Sequence, residues 1–175
     1  LSLARELGLD RFGFMLPTFT SREALNDTLA QLPEPRQKGC FLGDSLLGAS
    51  TLKVDASVYS ASMVRMKAAA ERAGIEAVPY PFSSEQEIAV YFANPYAALG
   101  HGCNYLWYSS VISPFGDVYP CIQMSFLGFR MGNIRDGGFR SVWRSADYGE
   151  FRRKFLKSGR YLPVCAKCCS VLDEG

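Results

Sequence analysis

The chain has little net charge: 19 Lys+Arg against 17 Asp+Glu leave a formal +2. That balance gives no electrostatic argument for nucleic-acid binding. No apolar run is long enough to span a membrane, and no secretory leader is recognisable at the start. There is no internal repeat and no low-complexity tract. Histidine occurs once, at His101. What remains is a packed-core composition, 48% hydrophobic and 21% charged, over 175 residues. This is enough for one domain or two small ones. The six cysteines would suit a disulfide framework in a small secreted domain, but a chain of this size needs no such staples. A reduced, cytoplasmic setting without membrane or nucleic-acid partners is the expectation. Leu1 stands where a start Met would, and the residues before Gly8 read as the end of a helix capped by that glycine. The chain is therefore expected to be a piece of a longer protein.

The first half has an α/β rhythm. Arg11–Leu16 reads as a buried strand ended by Pro17. Ser21 starts a helix with Leu25, Leu29 and Leu32 on one face, stopping at Pro33. Residues 33–53, rich in Pro and Gly, read as a loop. Asp55 or Ser57 caps a long helix to about Gly74, with Val58, Ala61, Val64 and Ala68 as its apolar line. Ile75–Tyr80 reads as a second strand, and Ser84 opens a short helix through about Phe92. Two successive β/α units predict parallel strands. Pro95, Gly100 and Gly102 mark a linker, so the expected domains are 1–98 and 99–175.

The chemistry sits in the second domain. Cys103 is followed by twelve residues, Gly116, four residues and Cys121. After a further forty-three residues come Cys165 and Cys168, a C-x-x-C pair. Two strand-like runs flank the turn Ser113-Pro114-Phe115-Gly116, so one hairpin can bring Cys103 and Cys121 together. Gly116 allows a positive φ and close backbone approach, and Pro120 fixes the backbone before Cys121. Four thiolates suit a tetrahedral zinc or an iron–sulfur cluster, and spacing alone leaves both open. Downstream, Ser145 caps a helix whose inner stripe is Tyr148, Phe151 and Phe155 and whose end is Gly159. Residues from Cys103 onward carry ten Lys+Arg against six Asp+Glu, a basic surround that would favour an anionic centre.

Residues 103–168 resemble the auxiliary-cluster region of radical S-adenosylmethionine enzymes, called SPASM in its long form and Twitch in its short form. Cys103, Gly116, Cys121, Cys165 and Cys168 fall in the family's order. Phe115–Cys121 is similar to its G-x-V-x-P-C. Met131-Gly132-Asn133-Ile134 is similar to its G-N-I, and Val142–Ser145 and Phe151-Arg152 to its x-W-x-S and F-R positions. The long form continues to a further cysteine at the position of Glu174; here Cys169 stands instead, which favours the Twitch form.

The resemblance implies an α/β fold: the C-terminal part of a partial TIM barrel, then a small α+β Twitch-like domain with a β-hairpin and a helix. It implies that Cys103, Cys121, Cys165 and Cys168 bind an auxiliary [4Fe–4S] cluster, one thiolate per iron, which serves electron transfer and closes the substrate side. The implied partners are a peptide or small-molecule substrate and an electron-donor protein. S-adenosylmethionine and a second [4Fe–4S] cluster would belong to a C-x-x-x-C-x-x-C motif that these residues do not contain, so this part alone should be inactive. The alternative is a zinc-stabilised structural or binding module without redox role. Cys169 reads as a spare thiol, Cys40 as a core or loop cysteine, and His101 as a loop histidine. Trp107, Tyr108 and Tyr119 read as core packing.

Overall fold

The structure is a computed structural model that describes residues 1–15, 18–33, 54–80, 84–94, 96 and 102–168. Cys40, His101, Cys169 and Glu174 lie outside the described residues, as does nearly all of the expected loop 33–53.

Helix α1 (Ser2–Glu6) leads through Gly8, at φ +63, into strand β1 (Arg11–Met15). Helix α2 (Arg22–Gln31) starts where the Ser21 hydroxyl accepts the Ala24 N–H at 3.1 Å. Asp55 caps helix α3 (Ala56–Arg72) by accepting from the Ser57 and Val58 amides. Gly74, at φ +69, turns the chain into strand β2 (Glu76–Tyr80). Strands β1 and β2 pair in parallel, from Arg11 opposite Glu76 to Met15 opposite Tyr80. A parallel pair needs a crossover, and α2 and α3 lie within it. Helix α4 (Glu85–Ala93) begins with a reciprocal cap between Ser84 and Glu87, which satisfies two otherwise unpaired amides.

The inner face of α3 differs from the expected one. Val58 and Val64 are 59% and 67% exposed, whereas Ala70 is buried and Tyr59, Met63 and Met66 are half-buried. The larger ring and thioethers supply the contact stripe at i, i+4, i+7 and i+11, and the β-branched residues are left outside. Tyr59 joins Phe19, Ile88, Tyr91 and Phe92 in an aromatic cluster. Phe19 meets Tyr91 edge-on at 5.6 Å and lies parallel to Phe92 at 6.2 Å.

The second half is built on a three-stranded antiparallel sheet. Strands β3 (Val111–Ile112), β4 (Asp117–Tyr119) and β5 (Gly132–Asn133) lie in that order. Val111 pairs with Tyr119, and Val118 with both Ile112 and Gly132. Helix α5 (Ile122–Phe126) follows β4 directly after Cys121. Helix α6 (Gly138–Trp143) precedes helix α7 (Ala146–Lys157), capped by the Ser145 hydroxyl on the Tyr148 N–H. Tyr148, Phe151 and Phe155 are buried as expected. Arg152 lies between the rings of Trp143 and Tyr148, at 4.1 and 3.9 Å, and donates to the carbonyls of Leu106 and Trp143. One planar guanidinium thereby ties α7 to the segment after Cys103. Trp107 and Tyr108 depart from the expectation: they are 39% and 66% exposed. A 3₁₀ turn over Tyr105–Trp107 replaces the expected strand start, and it turns Leu106 inward instead.

The core of the second half crosses the expected domain boundary. It takes in Leu25 and Leu32 of α2 alongside Val118, Met124, Phe151 and Leu162. Helix α2 packs against a 3₁₀ helix over Pro163–Lys167.

Candidate metal centre

The four cysteines are placed by three local devices. Cys103 lies outside any helix or strand, and its N–H donates to the Arg160 carbonyl at 2.9 Å. That carbonyl is presented by two consecutive left-handed residues, Gly159 at φ +77 and Arg160 at φ +60. A non-glycine residue there is uncommon and is held by its surroundings; the Arg160 guanidinium returns to Asn104 Oδ1 at 2.7 Å. The Cys103 Sγ accepts the Tyr105 N–H at 3.3 Å.

Cys121 follows β4 directly and is the N-cap residue of α5. The hairpin that carries it is closed by the turn 113–116, with Gly116 N–H on the Ser113 carbonyl at 2.9 Å. Gly116 has φ +87, and a Cβ there would stand 2.8 Å from Asn133 Oδ1. Asn133 locks β5 to this turn: its Nδ2 donates to the Phe115 carbonyl and to Asp117 Oδ1, and its Oδ1 accepts the Arg135 N–H. Arg130 pairs with the same Asp117 carboxylate.

Cys165 and Cys168 lie on the 3₁₀ helix over Pro163–Lys167 and at its C-cap. Pro163 suits its first turn, where an N–H would be unpaired. Cys165 N–H donates to the Leu162 carbonyl at 2.7 Å, and Cys168 N–H to the Cys165 carbonyl at 2.9 Å. In a 3₁₀ turn residues i and i+3 eclipse, so the C-x-x-C spacing points both sulfurs to the same side.

The structure brings all four side chains to one cavity of about 220 Å³, whose other walls include Leu106, Met124, Phe151, Phe155 and Leu162. None of the four is in a disulfide. Cys103, Cys165 and Cys168 are buried and Cys121 is partly so. Burial pushes the Cys121 thiol up to about 12; the Met124 and Gln123 amides oppose the shift, while Cys168 and Cys103 add to it. Cys165 is raised by burial and then by Cys121. Thiols in this state are inert as nucleophiles, and a metal would have to displace their protons.

The cavity also tests which metal group the residues fit. A Zn–S bond is about 2.3 Å, so a lone zinc draws four sulfurs onto one point. Among the described residues, no three His, Cys, Asp or Glu side chains close on a single ion. The thiols instead surround a volume with room for on the order of ten water-sized groups. A compact cluster of several irons and sulfides fits that volume better than one ion does. The amides already directed at Cys103 and Cys121 are donors of the kind that tune such clusters.

Sequence reasoning missed three residues at the centre's edges. Thr28, on α2, is fully buried, and its hydroxyl accepts the Val164 N–H at 2.9 Å; its place on the Leu25/Leu29/Leu32 face was the available signal. Gln123 is buried in the cavity wall. Lys167, between the two cysteines of the C-x-x-C, is buried as well. No sequence signal marked Arg160 for its left-handed backbone.

Residues 103–169 match the family model of SPASM, an iron-sulfur cluster-binding domain. No curated protein and no solved structure matches the chain. Among the described residues, no helix is long and apolar enough to cross a membrane.

Proposed function

We propose that the second half of this chain holds an auxiliary [4Fe–4S] cluster on Cys103, Cys121, Cys165 and Cys168, as the C-terminal part of a radical S-adenosylmethionine enzyme. The observation that carries this reading is the cavity: four cysteines outside any disulfide line one largely apolar space of about 220 Å³, within the stretch that matches an iron–sulfur domain model. Such a cluster supplies one-electron transfer. Four protein thiolates leave none of its four irons open for a substrate ligand, which favours an electron relay over direct substrate binding.

The chain's own residues have separable tasks in this reading. The Gly116 hairpin and α5 fix Cys121; the Gly159-Arg160 turn fixes Cys103; the 3₁₀ helix fixes the C-x-x-C. Leu106, Phe151, Phe155 and Leu162 keep water from the sulfurs, which slows loss of iron. The parallel pair β1/β2 supports reading the first half as β/α units of a partial barrel. S-adenosylmethionine, its own cluster and the radical step belong, in this proposal, to a three-cysteine motif absent from these 175 residues. The substrate would be a peptide or small molecule, with electrons exchanged through a donor protein in a cytoplasmic setting.

The test is anaerobic reconstitution with iron and sulfide, followed by metal and sulfide analysis and an absorption spectrum. About four irons and four sulfides per chain with broad charge-transfer absorption is the expected result. One tightly held zinc with no iron uptake would replace the relay with a structural thiolate site.

A further inference from the structure

The 3₁₀ helix over Pro163–Lys167 turns a different edge to each half of the chain. A 3₁₀ helix has three residues per turn, so residues three apart stand one above the other. Leu162, Cys165 and Cys168 make one such row, and all three line the four-cysteine cavity. Val164 and Lys167 make the next row, and the first half of the chain holds both. The Thr28 hydroxyl on α2 accepts the Val164 N–H at 2.9 Å. Lys167 is buried, with its Nζ 4.4 Å from the centre of the Tyr91 ring on α4 and 5.6 Å from that of Phe19. Ring faces attract a cation at this range. The Tyr91 hydroxyl lies 3.5 Å from the Lys167 carbonyl.

A short 3₁₀ helix has poor hydrogen-bond geometry and little stability of its own, so what it packs on sets its shape. The Cys165 N–H reaches the Leu162 carbonyl, and the Cys168 N–H the Cys165 carbonyl. The backbone that positions both sulfurs is therefore the backbone that Thr28 and Tyr91 hold. Helix α2 packs along this 3₁₀ helix, and its Leu25 and Leu32 share one core with Cys103, Cys165 and Cys168. Ligands that close on a metal centre fix the backbone that carries them. Such a gain is reciprocal: what the first half contributes to the turn, an occupied centre returns to the first half.

We propose that this 3₁₀ helix couples occupancy of the four-cysteine centre to the order of α2 and α4, with Thr28 and Tyr91 as the positioning residues of the first half. This rests on the cluster reading above and deepens it. The first half, which in that reading belongs to the barrel, is fully ordered only when the auxiliary cluster is in place. Without the cluster the row of Leu162, Cys165 and Cys168 loses the spacing its ligands impose, and the looseness passes through Val164 and Lys167 to α2 and α4.

The test is backbone amide hydrogen exchange on the full chain, iron-free and after anaerobic reconstitution, in the wild type, Thr28→Val, Thr28→Ser and Tyr91→Leu. Loading should slow exchange in α2 and α4 by about fivefold or more, the lower end of ordinary coupling between sites. Helix α3, which packs on α4 and β2, should gain less. In Thr28→Val the gain in α2 should be largely lost, and in Tyr91→Leu the gain in α4, while the gain in α5 next to Cys121 stays. Thr28→Ser should follow the wild type. Equal exchange in α2 and α4 with and without iron overturns the proposal. So does the same slowing in every helix, which is ordinary ligand stabilisation of one folding unit. A Thr28→Val or Tyr91→Leu chain that keeps the full gain in its own helix overturns it as well. Should either variant fail to fold, the wild-type comparison decides alone. A wild-type chain that takes up no iron removes the cluster reading first, and the coupling with it.

Discussion

The hydroxyl of Thr28 accepts the Val164 N–H at 2.9 Å across 136 residues of chain. The same hydroxyl donates to the Ala24 carbonyl one turn back in its own helix, at 2.7 Å. It thus anchors the first turn of the 3₁₀ helix that carries Cys165 to a helix of the opposite half. Thr28→Val keeps the shape but leaves the Val164 N–H unpaired in a buried place. A loss of about 1–3 kcal/mol is expected, together with faster iron release to a chelator, and Thr28→Ser should restore both. Chemical denaturation and timed chelation read the two effects. A valine variant that matches the wild type in both would reduce this bond to an incidental contact.

The turn at Gly116 gives a second expectation. Its φ of +87 strains any residue with a Cβ, and that Cβ would also meet Asn133 Oδ1 at 2.8 Å and Ile134 Cγ1 at 3.1 Å. Gly138, at φ +81, has nothing within 4 Å of the same position. Gly138→Ala therefore carries the left-handed backbone penalty alone, about 1–2 kcal/mol. Gly116→Ala carries that penalty and the disruption of the Asn133 bonds to Phe115 and Asp117. The unfolding midpoint should fall clearly further for Gly116→Ala. Equal losses would mean that the Asn133 lock contributes little.

These particular residues show how far the sequence could be read. The cysteine spacing, the Gly116 turn and the helix begun by Ser145 each depend on a few neighbouring residues, so they were visible in one dimension. The parallel strands followed from the order of elements. The inner face of α3 was misjudged because Val58, Ala61 and Val64 form as regular a stripe as Tyr59, Met63 and Met66, and only the neighbouring α4 and β2 choose between them. Trp107 and Tyr108 were assigned to the core on size, but a 3₁₀ turn gave that place to Leu106. Thr28 and Lys167 act across the two halves, and no local pattern encodes a contact of that range. The boundary drawn near residue 98 divides two stretches of sequence, while Leu25 and Leu32 share one core with Phe151 and Leu162.

Asp117 gives a pH-dependent expectation. Burial pushes its carboxyl up, but hydrogen bonds from Asn133 and Arg130, with the charges of Arg130 and Arg135, outweigh burial and hold it below the usual range. A carboxyl whose folded pKa is depressed contributes stability that is fully present above its unfolded value of about 3.9 and is lost as pH falls through the folded value. Asp117→Asn should therefore unfold at lower denaturant than the wild type at pH 7, and the gap should narrow as pH drops below about 4. Denaturation curves at pH 7 and pH 3 measure it. A gap that stays constant would assign the effect to hydrogen-bond geometry rather than charge.

Cys121 is the ligand whose removal separates the possible centres most clearly. It alone joins the hairpin to α5. Cys121→Ala leaves three thiols in the wall of a largely apolar cavity, and among the described residues no carboxylate or imidazole lines it to replace the fourth. Iron bound after reconstitution should drop from about four per chain to well under one, because a cluster with one iron left without its thiolate is held less tightly and loses iron. Cys40, outside the matched stretch, supplies the control, and Cys40→Ala should bind iron as the wild type does. Equal loss in both variants would mean that the cavity does not define the ligand set. Full retention in Cys121→Ala would mean that three thiolates suffice, leaving one iron free for a substrate atom and turning the centre from a relay into a binding site.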